Sequence, residues 1–208
     1  MRISEPTPLM EDLDQCRAYN KYASDPRQLR EYIQLYEKLV GIKQGTVIDL
    51  GSGSCNFIVS LAIAFPYLKF VCYEVSEAMI ELAYKNIKNF NLSDRIQIIK
   101  DDIFNATGNY DVVLANRLLH HIENPKQFWK LINTLSENIL IVDINRPPIS
   151  VIEHIRDVDE YAEPVYKQDL LNSMQAAYSL DEVVAQTREY DYTVISDEYY
   201  RLIVYQTK

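Results

Sequence analysis

The stretch Asp49-Leu50-Gly51-Ser52-Gly53 is the first place in the sequence where residue types and spacing suggest chemistry. It leaves an apolar run, Thr46 to Leu50, and enters a helix-like one. Glycines at such a junction let a ligand approach the backbone where the N–H groups of a helix start point outward. A tight strand-to-helix turn with no ligand looks the same, so the motif alone is weak. Glu74 closes a second apolar run roughly 20 residues further on, the placement at which a carboxylate accepts both hydroxyls of a ribose. A surface glutamate at a strand end is the structural alternative. Together the turn and Glu74 fit a dinucleotide or a nucleoside ligand, which keeps an NAD-type Rossmann oxidoreductase in view. Such an enzyme also needs a catalytic group beside a nicotinamide, and no signature for one stands out.

The elements that must position these residues alternate. Asp25-Pro26 supplies an N-cap and a first-turn proline for a helix with Leu29, Ile33, Tyr36 and Val40 on one face, ending near Gly41. Strand-like runs follow at Thr46–Leu50, Lys69–Glu74, Ile96–Lys100, Tyr110–Ala115 and Asn138–Asp143, with helix-like stretches between them. That alternation predicts an α/β fold with a parallel sheet covered by helices. After Pro147-Pro148 come polar helical stretches. Ser179-Leu180-Asp181-Glu182 then fits a capping box, opening a helix that runs to about Arg188. Tyr190–Ile195 and Tyr199–Tyr205 flank Ser196-Asp197-Glu198 and read as an antiparallel hairpin. The first twenty or so residues read as an arm or lid.

Composition sets limits on partners. The chain has 208 residues, enough for one compact domain with its own core, and a formal charge of -9. Affinity for polyphosphates comes largely from Lys and Arg displacing counterions, so this charge disfavours a nucleic-acid substrate. No apolar run approaches the roughly 20 residues of a membrane span, and the start lacks the apolar stretch of a secretory signal. A cytoplasmic location with no membrane partner is the expectation. Cys16, Cys55 and Cys72 lack the CxxC spacing of zinc or redox sites and read as free thiols, and no metal site is expected. The sequence says nothing of oligomeric state.

Several segments, taken in order, resemble the class I S-adenosylmethionine-dependent methyltransferases. They are Val47-Ile48-Asp49-Leu50-Gly51-Ser52-Gly53, Tyr73-Glu74-Val75-Ser76-Glu77-Ala78-Met79, Lys100-Asp101-Asp102-Ile103, Tyr110 to Asn116 and Leu118-Leu119-His120-His121-Ile122. The likeness spans roughly residues 45 to 147, and its order and spacing make it specific. It implies a single-domain Rossmann-like fold, with a mostly parallel seven-stranded sheet, a C-terminal antiparallel hairpin and helices on both faces. Residues 1–40 would form an N-terminal arm and helix acting as a lid, and residues 41–208 the S-adenosylmethionine-binding domain.

The resemblance further implies that Asp49 and the Gly51, Ser52 and Gly53 backbone hold the methionine portion of the cofactor. Glu74 would grip the ribose, and Val75 and Met79 would pack on adenine, although plain core packing also suits these two apolar residues. Asp101 or Asp102, with Asp102 preferred, would accept from the adenine amino group beside the Ile103 backbone. Asn116 would lie under the sulfonium, and Tyr19 and Tyr22 of the arm would close over the cofactor or simply pack. Two positions depart from the family pattern. Cys55 stands where many members have another glycine, and Ser136-Glu137-Asn138 replaces a glycine pair before the fifth strand.

The implied reaction is methyl transfer from S-adenosylmethionine to a small-molecule acceptor, releasing S-adenosylhomocysteine. A sulfonium is already a good leaving group, so alignment could suffice without a base. Where the acceptor carries a proton, His120 or His121 is the candidate to take it, with the other member of the pair packing structurally. Asp143 and Arg146, at the same sheet edge, either contact the substrate or form an ion pair. His154 lies beyond the core and is expected to matter less. A binding protein that keeps the pocket without turnover is the remaining alternative.

Overall fold

The computed structural model describes residues 2–5, 10–157, 164–197 and 201–208, and for 164 and 165 the backbone alone. Two helices come first, α1 (Leu13–Ala23) and α2 (Pro26–Leu39). The alternating part runs β1 (Gln44–Leu50), α3 (Asn56–Ala64), β2 (Tyr67–Glu74), α4 (Glu77–Asn89), β3 (Ile96–Lys100), β4 (Val112–Asn116), α5 (Pro125–Leu135) and β5 (Ile139–Ile144). Helices α6 (Ile149–Asp157), α7 (Pro164–Ala176) and α8 (Leu180–Gln186) precede β6 (Thr193–Ser196) and β7 (Arg201–Gln206).

The local signals account for these boundaries. Asp25 caps α2 ahead of Pro26, Ser76 caps α4, and Asn124 with Pro125 opens α5. The capping box at α8 is complete: the Ser179 side chain accepts from the Glu182 N–H while Glu182 reaches back to Ser179. The helix stops at Gln186, two residues short of the expectation, where the Thr187 hydroxyl donates to the Val183 carbonyl.

The seven strands form one sheet in the order β3-β2-β1-β4-β5-β7-β6, parallel through β5 and antiparallel at β5–β7 and β7–β6. The chain reverses its direction of travel across the sheet between β1 and β4. Open α/β sheets bind ligands at such a switch point, outside the carboxyl ends of the strands. Strand alternation supplies two cores. Val47, Leu114 and Val142 pack with α2, α3 and α4 on one face, while Ile48, Val113 and Ile141 meet Phe128, Trp129 and Ile132 of α5 on the other.

The hairpin is shorter than the sequence pattern suggests. Its first strand begins at Thr193, because the Tyr190 N–H turns back onto the Thr187 carbonyl and the Tyr190 and Tyr192 rings stack, with Tyr192 also against Trp129. Part of the expected second strand and turn, residues 198–200, lies outside the described residues. Helix α2 buries Tyr32 and Tyr36 in the main core, while α1 packs Cys16 against Ala78 and Met79 of α4. Among the described residues no helix is long and apolar enough to cross a membrane.

Candidate functional site

The carboxyl ends of β1, β2 and β4, roofed by α1, α2 and α7, enclose a cavity of about 390 Å³. From β1 it receives Asp49, Gly51, Ser52 and Gly53; from β2 and the start of α4, Glu74, Val75 and Met79; from beyond β3, Asp102 and Ile103. Asn116, His120 and His121 enter from β4 and its loop, and Tyr19 and Tyr22 from α1.

The turn is built for close approach. Gly51 has φ 69°, and a Cβ there would lie 2.7 Å from Leu118; Gly53 has φ 52°. The N–H groups of Gly51 and Ser52 donate to the Tyr73 carbonyl, which ties the turn to β2. Cys55 heads α3 in the left-handed region at φ 57°, a conformation that glycine adopts without strain. A non-glycine residue there costs on the order of 1 kcal/mol. The Cys55 side chain makes no capping bond to the first N–H groups of α3. Cys55 and Cys72 are buried free thiols; the Cys55 hydrogen bond and burial both push the Cys72 thiol up.

Among the described residues, one carboxylate oxygen and one amide oxygen of this cavity stand without partners. Asp49 is 3% exposed and its Oδ1 accepts nothing; the Asn116 Oδ1 is likewise buried and unpartnered. Burial, reinforced by the charge of Glu74, pushes the Asp49 carboxyl well above the usual carboxylate range. A ligand bearing a positive charge would satisfy both atoms. Glu74 is engaged differently. Its Oε2 accepts from the Gly53 N–H at 2.8 Å and its Oε1 from the Val75 and Ser76 N–H groups at 2.9 Å each. Three of roughly four lone-pair directions are thereby used on its own loop, leaving one for a ligand.

The acidic pair after β3 separates cleanly. Asp102 lines the cavity while its carboxylate accepts from the Phe104 N–H. Asp101, also named as a cofactor contact, is exposed and outside the cavity lining, its Oδ1 taken up by the Asp102 N–H and the Asn105 amide.

The histidines divide by partner. His120 is 3% exposed, and its Nδ1 lies 2.7 Å from the Asp143 Oδ1. A carboxylate only accepts, so Nδ1 carries the proton, and Nε2 faces the Glu5 Oε1 at 3.8 Å. Burial pushes Asp143 up, but the charge and hydrogen bond of His120 hold it below the usual range. His121 Nδ1 sits 2.7 Å from Glu5 Oε2 as an ion-pair contact without hydrogen-bond alignment. Burial pulls the His121 imidazole down, and the Glu5 contact more than offsets it, so the net direction is up. The ligand atoms of Glu5, His120 and His121 all lie within 4.8 Å of one another, a spacing a metal ion could use. The ion pair already accounts for it.

Asp143 and Arg146 both lie outside the cavity lining. Asp143 stands behind His120, absent from the cavity lining, and also accepts from the Ile144 N–H. Arg146 donates to Glu182 at 2.7 Å and to the Ala177 carbonyl at 3.0 Å, tying the β5 end to α8 away from the cavity. His154 is exposed on α6, also outside the lining.

Sequence reading missed Arg117, which enters the cavity with Tyr22, Tyr32 and Tyr166 around it. It also missed Glu5, and the amide cluster in which the Asn56 and Asn86 amides both donate to Asn20 Oδ1 and fasten α1 to α3 and α4. Single polar residues on helices carry no periodic signal, and Arg117 is marked only by following the Asn116 position.

Fold and site together define a Rossmann-like, class I methyltransferase, the class whose methyl donor is S-adenosylmethionine. A family described as a methyltransferase domain matches residues 42–205, well over half of the chain. The chain belongs to this family. It is 34% identical over 86 residues to a ribosomal RNA small subunit methyltransferase C from Pseudoalteromonas translucida, covering 41% of this chain and 25% of that protein. It is 30% identical over 74 residues to a release factor glutamine methyltransferase from Rhodopirellula baltica, covering 34% and 25% respectively. The chain thus spans about a quarter of the length of these curated relatives.

In fold it is similar to the plantazolicin methyltransferase BpumL, solved with a desmethyl analogue and S-adenosylhomocysteine, with a TM-score of 0.68 and 17% identity over 92% of this chain and 90% of that one. A SAM-dependent methyltransferase from Aquifex aeolicus aligns with a TM-score of 0.64 and 16% identity over 94% and 97%.

Proposed function

We propose that the chain binds S-adenosylmethionine in this cavity and transfers its methyl group to a small-molecule acceptor, leaving S-adenosylhomocysteine. The observation that carries the reading is the pair of unpartnered buried acceptors, Asp49 Oδ1 and Asn116 Oδ1, beside the glycine turn and Glu74. This donor set fits a ligand with an ammonium and sulfonium at one end and a ribose at the other. Bound there, S-adenosylmethionine would supply a methyl group on a sulfonium, whose departure needs no protonation.

The chain's own groups divide the remaining work. Asp49 and Asn116 hold the charged amino-acid end, with the glycine turn allowing backbone approach. The last lone-pair direction of Glu74 takes a ribose hydroxyl, Val75 and Met79 pack on the base, and Asp102 with the Ile103 backbone meets its edge. His120, oriented by Asp143, is the group placed to accept a proton from the acceptor. Helix α1, through Tyr19 and Tyr22, acts as the lid that excludes water from the cavity.

The small-molecule acceptor is favoured by the roof of α1, α2 and α7 over the cavity and by the overall charge of -9, which opposes a polyanionic partner. Incubating the protein with methyl-labelled donor and a fractionated cell extract tests this. Label is expected in the low-mass fraction; label in RNA or protein would contradict the acceptor class, and label nowhere would favour a binding protein without turnover.

A further inference from the structure

Arg117 brings into the cavity a charge that the proposed reaction leaves unused. It holds φ 55° directly after β4, where its N–H donates to the Val142 carbonyl at 2.8 Å. A non-glycine residue in that region costs on the order of 1 kcal/mol and persists at positions where function requires the side chain's direction. Its guanidinium has five donors. Among the described residues one is engaged, Nη2 to the Tyr22 hydroxyl at 2.8 Å, and no carboxylate pairs with it within 4.0 Å.

Its neighbours are neutral. The guanidinium carbon lies 5.0 Å over the Tyr22 ring, the Tyr22 and Tyr166 rings meet at a tilt with centroids 4.4 Å apart, and burial pushes the Tyr19 and Tyr166 phenols up, so they stay protonated. Among the described residues the Tyr166 hydroxyl, buried in the same wall beside Tyr22, makes no well-aligned hydrogen bond. A half-buried cation among neutral phenols, with that hydroxyl beside it, lacks the counter-charge that burial calls for.

We propose that Arg117, flanked by Tyr22 and Tyr166, is a carboxylate-binding site inside the cavity. The planar fork of arginine suits a carboxylate bidentately, and the Tyr166 hydroxyl adds a third donor. The proposal rests on the reading that this cavity holds a methyl donor and its acceptor. Either can bring the carboxylate, the donor on its amino-acid end or the acceptor as an organic acid, whose planar forms would also stack on the tyrosines.

Calorimetric titration of wild type, Arg117→Gln and Tyr166→Phe distinguishes the sources. The probes are S-adenosylhomocysteine, 5′-methylthioadenosine, which lacks the amino-acid end, and benzoate against benzamide on protein saturated with S-adenosylhomocysteine. Arg117→Gln is expected to weaken one carboxylate ligand at least tenfold and 5′-methylthioadenosine less than twofold, with Tyr166→Phe weakening the same ligand severalfold. Loss for S-adenosylhomocysteine assigns the site to the donor; loss for benzoate, with benzamide indifferent, assigns it to the acceptor. Unchanged affinity for both carboxylates, or equal loss for 5′-methylthioadenosine, overturns the proposal. A wild-type protein that binds neither nucleoside would instead remove the donor reading, and the proposal with it.

Discussion

Asp49 shows how far a single residue could be read from sequence. Its place after β1 was visible, but its cost was not: a buried carboxyl with an open Oδ1 and a raised pKa depends on three-dimensional burial. A carboxyl kept waiting for a cation should destabilise the unliganded protein whenever it is charged, because its unfolded counterpart ionises freely. Asp49→Asn is therefore expected to raise the melting temperature by a few degrees while weakening S-adenosylmethionine at least tenfold. A variant that melts lower with unaltered affinity would contradict this role. The histidine pair was legible as a pair, whereas its division of labour depended on Asp143 and Glu5, which are distant in sequence.

The Glu5 contact makes the second residue-scale prediction. His121 is raised, so its contribution is full below about pH 6.5 and is lost as pH rises through its raised value. For Glu5, burial pushes upward and His121 more than offsets it, so the net shift is down. Its contribution is full above about pH 4.3 and is lost as pH falls through its lowered value. The contact is complete between those limits, with His120, Asp143 and Asp169 as the other charged groups nearby. Hydrogen exchange at Ile3, whose N–H donates to the Gln175 carbonyl, should show greater protection at pH 6 than at pH 9. Equal protection at both would show that the pair does not hold this segment.

At the scale of elements, the parallel strands, their helices and the capping box could all be read, because periodicity and capping are local signals. The hairpin start could not, since the ring contacts of Tyr192 with Tyr190 and Trp129 that delay it are partly tertiary. The docking of α1 was equally invisible. It rests on Asn20, whose Oδ1 accepts from Asn56 and Asn86 at 2.8 and 3.1 Å, and on Cys16 packed against Ala78 and Met79. Asn20→Ala removes an acceptor shared by both amides, each of which keeps a bond to Ser54, and should cost about 0.5–1.5 kcal/mol at this contact. Faster proteolysis within α1 and a severalfold weaker donor are expected, with the melting of the sheet core little changed. Proteolysis at the wild-type rate would mean that α1 is held by other contacts.

For the whole molecule, the sheet order β3-β2-β1-β4-β5-β7-β6 places the switch point, the glycine turn and the β4 loop around one cavity, so the family likeness and the physical placement of a ligand agree. Parallel titrations of the purified protein with S-adenosylmethionine, S-adenosylhomocysteine and NAD test that agreement most directly. The account predicts saturable one-site binding of the first two and none of NAD. Binding of NAD, or silence from both methionine nucleosides, would contradict it.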